Sequence, residues 1–290
     1  LEFRRVLFRS ELHIRQSDPS EIGLLSKLIV HHGNKGQYPV FLQYPDRMTD
    51  MAASGDIAGV VGMDPGDLIG GGLIWRWLSA KTVECFGPFV LGAHQGTDLN
   101  THLLEACLRQ LARSTCISLV NRYPSDCLPN GYFHELGRTE EGTTRRERVV
   151  FIRMLREDPG SLVWALPPLS DFLGQSYTRL ALPREIQPPG GSMPPAEVES
   201  VLFSQFNQTE KTVILTPVDM GPDMETNLEK HLQLFKQKDI AVVSLQLDLG
   251  QSSHAGISTS LYRLGFEPKL IIPYGGQGDV VLFQLRSDCS

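Results

Sequence analysis

No two cysteines in this 290-residue chain are spaced as C-x-x-C, and the five present, Cys85, Cys107, Cys116, Cys127 and Cys289, are scattered. That spacing argues against a disulfide framework or a structural zinc site and points to a reducing cytoplasm. No apolar run approaches the roughly 20 residues that cross a bilayer, so a membrane protein is not expected. Basic excess is also missing. The formal net charge is -6, which gives no electrostatic pull toward nucleic acid or anionic lipid. G-x-S-x-G is absent, which removes the usual signature of a serine hydrolase elbow. No metal site is expected either. His31 and His32 are adjacent, point about 100° apart on a helix, and have no third ligand nearby.

What is present is a chain of ordinary globular composition, 41% hydrophobic and 21% charged. Its first ten residues, LEFRRVLFRS, resemble sequencing-adapter read-through and read as a non-native leader, or alternatively as a short native helix. From residue 11 the pattern becomes regular. ELHIRQ alternates as a strand does. SDPSEIGLLSKLIVHHGN starts a helix, with Asp18 or Ser17 as cap, Pro19 in the first turn and Glu21 at the positive end of the dipole. Residues 40–54 read as a second helical piece broken near Pro45. IAGVVGMD, DLIGGGLIWRWLS and TVECFGPFVL form an antiparallel meander. A helix follows at residues 99–113, then a strand in CISLVNRYP, a short helix over residues 127–137 ending at Gly137, and a strand in RRERVVFIRML. One parallel crossover is expected, between residues 83–91 and 116–123.

A second unit follows a join near residues 156–165. It reads as a helix within 166–183, a Pro/Gly-rich loop from REIQPP onward, two paired strands, the amphipathic helix METNLEKHLQLFKQKD, a strand, the helix SSHAGISTSLYRLGF and a closing antiparallel pair. The fold class is therefore α/β in the sense of mixed sheets with helices on both faces. The organisation is 1–10 leader, 11–157 front half and 158–290 back half.

The order β-α-α-β-β-β-α-β-α-β resembles the GCN5-related N-acetyltransferase (GNAT) superfamily. GPFVL matches its splayed fourth strand, HQGTDLN its pyrophosphate loop and NGYFHELG its late helix. SLYRLGFEPKLIIPYGGQGDVVLFQL is similar to the family's terminal segment, and YTRLALPREI with that ending resembles tandem acetyltransferase-like regions of bacterial proteins. The resemblance spans about residues 11–287 and implies a tandem GNAT-like protein whose second half is degenerate. It implies N-acyl transfer from acetyl-CoA, or a related acyl-CoA, to an unknown small-molecule or protein amine, with the front half carrying the site. The alternative is a catalytically silent module, a pseudoenzyme that senses a ligand or docks on a partner.

The resemblance also assigns residues. Pantetheine would pair with the edge at Pro88, Phe89 and Val90 as an added strand, and the pyrophosphate would rest on Gln95, Gly96, Thr97, Asp98, Leu99 and Asn100 at a helix N-terminus. Glu84 stands near a family base and Tyr132 near the acid that protonates the leaving thiolate. Each has a plainer reading. Glu84 could be an outward strand residue. Phe133, rather than Tyr132, holds the tyrosine position of the motif. Asp98 sets a carboxylate beside a pyrophosphate, where repulsion costs a few kcal/mol; equally, Thr97 or Asp98 is the helix cap. In the back half, Asp219, Asp223, Glu225 and Pro222 occupy the phosphate-loop position and read as a non-binding copy. Gly70 to Gly72 with Trp75 and Trp77 would line an acceptor pocket or mark close packing. Arg122, at the carboxyl end of a parallel strand, is a candidate anion partner.

Overall fold

The computed structural model describes residues 13–32, 38–64, 66–94, 97–190 and 199–286. The leader at 1–10 lies outside these residues, as do Gln95 and Gly96.

The chain opens with β1 (His13–Gln16) and α1 (Pro19–His32). Asp18 and Glu21 form a reciprocal capping box: the Glu21 amide donates to Asp18 Oδ1 at 2.9 Å and the Asp18 amide to Glu21 Oε2 at 2.9 Å. A 3-10 turn and α2 (Pro45–Ala53) follow, parted at Pro45 as the sequence indicates. Then come β2 (Ile57–Met63), β3 (Ile69–Trp77), β4 (Thr82–Val90), α3 (Leu99–Leu111), β5 (Ser118–Asn121), β6 (His134–Glu141) and β7 (Arg146–Met154). These strands form one seven-stranded sheet in the order β1-β2-β3-β4-β5-β7-β6, with β4 and β5 as its parallel pair.

Alternation along the strands divides the side chains between two cores. Val61, Ile74 and Phe86 pack with α1 and α2, while Leu73, Val83 and Cys85 pack with Leu99, Leu103, Leu104 and Cys107 of α3. The glycines of β2 and β3 permit this sandwich to close. A Cβ on Gly72 would meet Leu25 of α1 at 2.6 Å, and one on Gly62 would meet Leu99 of α3 at 2.6 Å. Close helix packing is thus the role of the glycine-rich strand, and Gly70 and Gly71 likewise lie against His94 and the Phe89 carbonyl.

The back half contains β8 (Ser161–Trp164), α4 (Leu169–Leu180) and β9 (Arg184–Gln187), then β10 (Val201–Asn207), β11 (Thr212–Asp219) and α5 (Met224–Gln237). It ends with β12 (Val242–Asp248), α6 (Ser252–Ala255), α7 (Ser258–Arg263), β13 (Phe266–Ile272) and β14 (Val280–Leu285). Five strands form a second sheet, β10-β11-β12-β14-β13, and β8 and β9 pair separately in parallel.

Three expectations change. The helix over 127–137 is absent. An irregular segment leads into β6, which pairs antiparallel with β7. Gly137 is a strand residue rather than a helix stop. A Cβ there would lie 2.8 Å from Leu270 Cβ and 3.2 Å from the Lys269 carbonyl, so the glycine admits β13 of the other half. The single helix read across 252–266 is two short ones, α6 and α7, with Gly256 between them. Finally, helices cover only one face of the back sheet. Val213, Leu245 and Phe283 pack under α4, α5 and α7. On the other face, Leu270, Ile272, Val280 and Leu282 share a core with Val120, Leu136, Val150 and Ile152 of the front sheet. Side chains tie this seam. Gln284 exchanges hydrogen bonds with the Glu140 backbone at 2.8 and 3.0 Å, and Arg179 donates to the Leu136 carbonyl at 2.7 Å.

Candidate functional site

The parallel pair β4/β5 is in register for only three positions, Thr82↔Ser118 to Glu84↔Val120, and then parts. Such a parting opens a backbone edge that an added strand could use. Here side chains at Asn121 and Ser125 bond two of its carbonyls. Ser125 Oγ donates to the Pro88 carbonyl at 2.7 Å, and Asn121 Nδ2 reaches the Gly87 carbonyl at 3.4 Å. The Tyr123 ring lies 6.1 Å from Phe86. Every residue of β4 is buried, Pro88, Phe89 and Val90 included.

The N-terminus of α3 is also partly self-satisfied. Thr97 Oγ1 donates to the His94 carbonyl at 2.6 Å and accepts from the Leu99 amide at 3.4 Å. Asn100 Oδ1 accepts from the Thr101 amide at 2.9 Å, and its Nδ2 donates to the Cys127 carbonyl at 3.0 Å. Asp98 sits at the cap position yet makes no side-chain cap bond, and it is exposed. Of the two cap candidates, only Thr97 bonds the helix through its side chain.

Glu84 and Tyr132 are not brought together. Glu84 is fully buried on the α1/α2 side of the sheet, between two guanidinium groups: Arg76 Nε donates to Oε2 at 2.8 Å and Arg122 Nε to Oε1 at 2.5 Å. Burial works to raise its pKa, but Arg122 and Arg76 outweigh it and hold the carboxyl below its ordinary range. A carboxylate so held is a poor proton acceptor, which removes the basis for reading it as the base. Tyr132 lies on the α3 side, among the residues packed on that core. Its phenol donates to Glu105 of α3 at 2.8 Å, which raises its pKa. The reason sequence placed it otherwise is the missing helix. Without that helix, Tyr132 belongs to the turn before β6.

The back-half acids are structural. The Asp223 carboxylate accepts from the Ser200 amide at 2.8 Å, which lowers its pKa, and Glu225 accepts from Ser260 and Arg263 at 2.6 Å each. Asp219 is exposed.

The sequence reading missed a cleft of about 310 Å³ between the two sheets. Arg76, Trp77, Arg122 and Tyr123 line it from the front half, and Phe206, Ile214, Ser244 and Gln284 from the back. None of the described residues among 88–100 lines it. Glu141, also at its wall, is pushed up to about 7 by burial, against the pull of Arg148, with which it pairs, and of Arg146; Glu210 adds to the rise. Of its lining, Arg122 was marked in advance by its place at the carboxyl end of a parallel strand, and Trp77 as a candidate pocket residue. A cleft formed by residues some 130 positions apart, such as Trp77 and Phe206, leaves no local pattern to read. Among the described residues there is no cluster of three metal-type ligands, and no helix is long and apolar enough to cross a membrane.

No protein-family model and no curated protein sequence matches the chain. Solved structures do. A GNAT-family N-acetyltransferase from Escherichia coli in complex with CoA is 14% identical over 50% of this chain and 82% of that one, with a TM-score of 0.37. An aminoglycoside 6′-N-acetyltransferase complexed with coenzyme A is 11% identical over 51% and 99%, with a TM-score of 0.39. An acetyltransferase of Trypanosoma brucei is 15% identical over 38% and 82%, with a TM-score of 0.31. These neighbours are acetyltransferases, and every one of the three TM-scores lies below 0.5. Likeness at this level says nothing of activity, which is left to the chain's own residues.

Proposed function

We propose that this chain is a ligand-binding module built on an acyltransferase frame, with the cleft between its sheets as the binding site and its front-half acyl-CoA groove closed. One observation carries the reading: residues 121–125 bond the β4 edge, with Ser125 Oγ on the Pro88 carbonyl at 2.7 Å, where a pantetheine amide would have to pair. An incoming cofactor must break those contacts and displace the half-buried residues 123–125 before it gains its own. Glu84, clamped between two arginines, and Tyr132, on the opposite face of the sheet, support the same conclusion.

A second reading, N-acyl transfer from acetyl-CoA to an amine, keeps one observation in its favour, the parting of β4 from β5 after Glu84. Titration of the unmodified protein with acetyl-CoA, read by thermal shift and calorimetry, separates the two. A ligand present at a hundred times its dissociation constant stabilises the fold by about 2.7 kcal/mol, so a cofactor site would announce itself as a clear rise in Tm. The closed groove predicts no shift. Binding in the low micromolar range, about -8 kcal/mol, would restore the acyltransferase reading.

A further inference from the structure

We infer that Arg122 and Arg76 form an anion-binding wall in the cleft, and that its ligand is a small monocarboxylate with an apolar body. The inference rests on the cleft being a ligand site, and it adds the chemistry of the ligand.

The first ground is the donor inventory. An arginine carries five N–H donors in a rigid fork. Glu84 accepts Arg76 through Nε at 2.8 Å and Nη2 at 2.7 Å, and Arg122 through Nε at 2.5 Å. Arg76 Nη1 and both Nη groups of Arg122 make no hydrogen bond to any described residue, and both side chains line the cleft. Arg122 is only 9% exposed. These donors face the cleft, where a bound acceptor can take them.

The second ground is charge. Two guanidinium groups on one carboxylate leave one positive charge at the cleft wall. In a poorly solvated site, charge-assisted hydrogen bonds from a fork to a carboxylate are strong and directional. Glu140, Glu141 and Glu210 line the same cleft, so a doubly charged phosphate would meet about twice the repulsion that a monoanion meets.

The third ground is the rest of the wall. Trp77, Phe206, Ile214 and Leu282 offer apolar surface, and at about 310 Å³ the cleft is at the small end for ligand pockets. That suits one charged group and a body the size of a ring or short chain.

The probes are phenylacetate and its neutral counterpart phenylacetamide, titrated into the full chain by calorimetry. Phenylacetate is expected to bind at least about tenfold tighter than the amide. Arg122→Lys keeps a charge beside Glu84 but loses the fork, and should remove that preference. Trp77→Ala should weaken both probes alike. Equal affinity for acid and amide, or an unchanged preference in Arg122→Lys, overturns the anion assignment and leaves the cleft reading standing. If neither probe binds, both fall. Should Arg122→Lys fail to fold, the acid-to-amide ratio of the unmodified protein still decides.

Discussion

The two halves share a five-strand frame and use it in opposite ways. β3-β4-β5-β7-β6 of the front sheet and β10-β11-β12-β14-β13 of the back have the same sequence of antiparallel, parallel, antiparallel and antiparallel pairings. Each half buries an ionic cluster, and the clusters have opposite sign. In the front, one carboxylate holds two guanidinium groups, Arg76–Glu84–Arg122. In the back, one guanidinium holds two carboxylates: Arg184 bonds Asp279 at 2.7 Å and Asp158 at 2.9 Å. In the back cluster Tyr274 donates its hydroxyl to Asp158 and its amide to Asp279, and Asp158 Oδ2 keeps only its ion pair with Arg184. The front one opens on the cleft with donors to spare. A common pairing order therefore does not fix the job of each half. What differs is whether the ionic cluster opens on the cleft, and what the chain does after the parallel pair.

The largest effects should come from removing the central member of each cluster. Arg184→Leu strands two buried carboxylates, and Glu84→Gln strands two guanidinium groups. Each should cost about 3–5 kcal/mol in denaturant unfolding. Because the halves share the core of Val120, Leu136, Leu270 and Leu282, both variants should still unfold in one transition. Two separate transitions would show that the halves are independent and that their seam contributes little. Gly137→Val acts on the seam itself, driving a side chain into Leu270, and should cost about 1–3 kcal/mol.

The pH profile sharpens the contrast further. Glu84 is held below its ordinary value of 4.5, so its stabilisation is present above that pH and is lost as pH falls through the lower folded value. Glu141 behaves in the opposite sense. Its folded value of about 7 lies above the ordinary 4.5, so the folded state takes up the proton first, and stability falls as pH rises from about 4.5 through about 7. Glu141→Gln should flatten the upper slope and leave the acid limb. An unchanged profile would mean the carboxyl is better solvated than its burial implies. The smallest effect belongs to Asp98→Gly. With no cap bond to lose, it should change stability by no more than a few tenths of a kcal/mol and create no CoA affinity. A gain in CoA binding would revive the suppressed phosphate site.

Much of the frame was legible because it is written locally. The capping box at Asp18 and Glu21, the meander from Ile57 to Val90 and the apolar stripe of α3 each announce an element within a dozen residues. Legibility failed where a residue answers to a distant partner. Gly137 looks like a helix stop and is a contact with β13; Glu84 looks like an available carboxylate and is the hub of two arginines. The strands β8 and β9 were also missed: Ser161–Trp164 is a four-residue strand paired with Arg184–Gln187, about twenty residues away, where the sequence reads as the start of a Pro/Gly-rich loop. Arg122 was flagged correctly for position, but its significance depends on Arg76 and on a back-half wall that no sequence window contains.

The closed groove is tested most directly by amide hydrogen exchange with and without acetyl-CoA, followed at Phe89 and Val90 of β4 and across residues 122–128. Unchanged protection of both segments is expected. Loss of protection in 122–128 together with a gain at Phe89 and Val90 would contradict it, because the cofactor would then be displacing the loop and taking its place as the added strand.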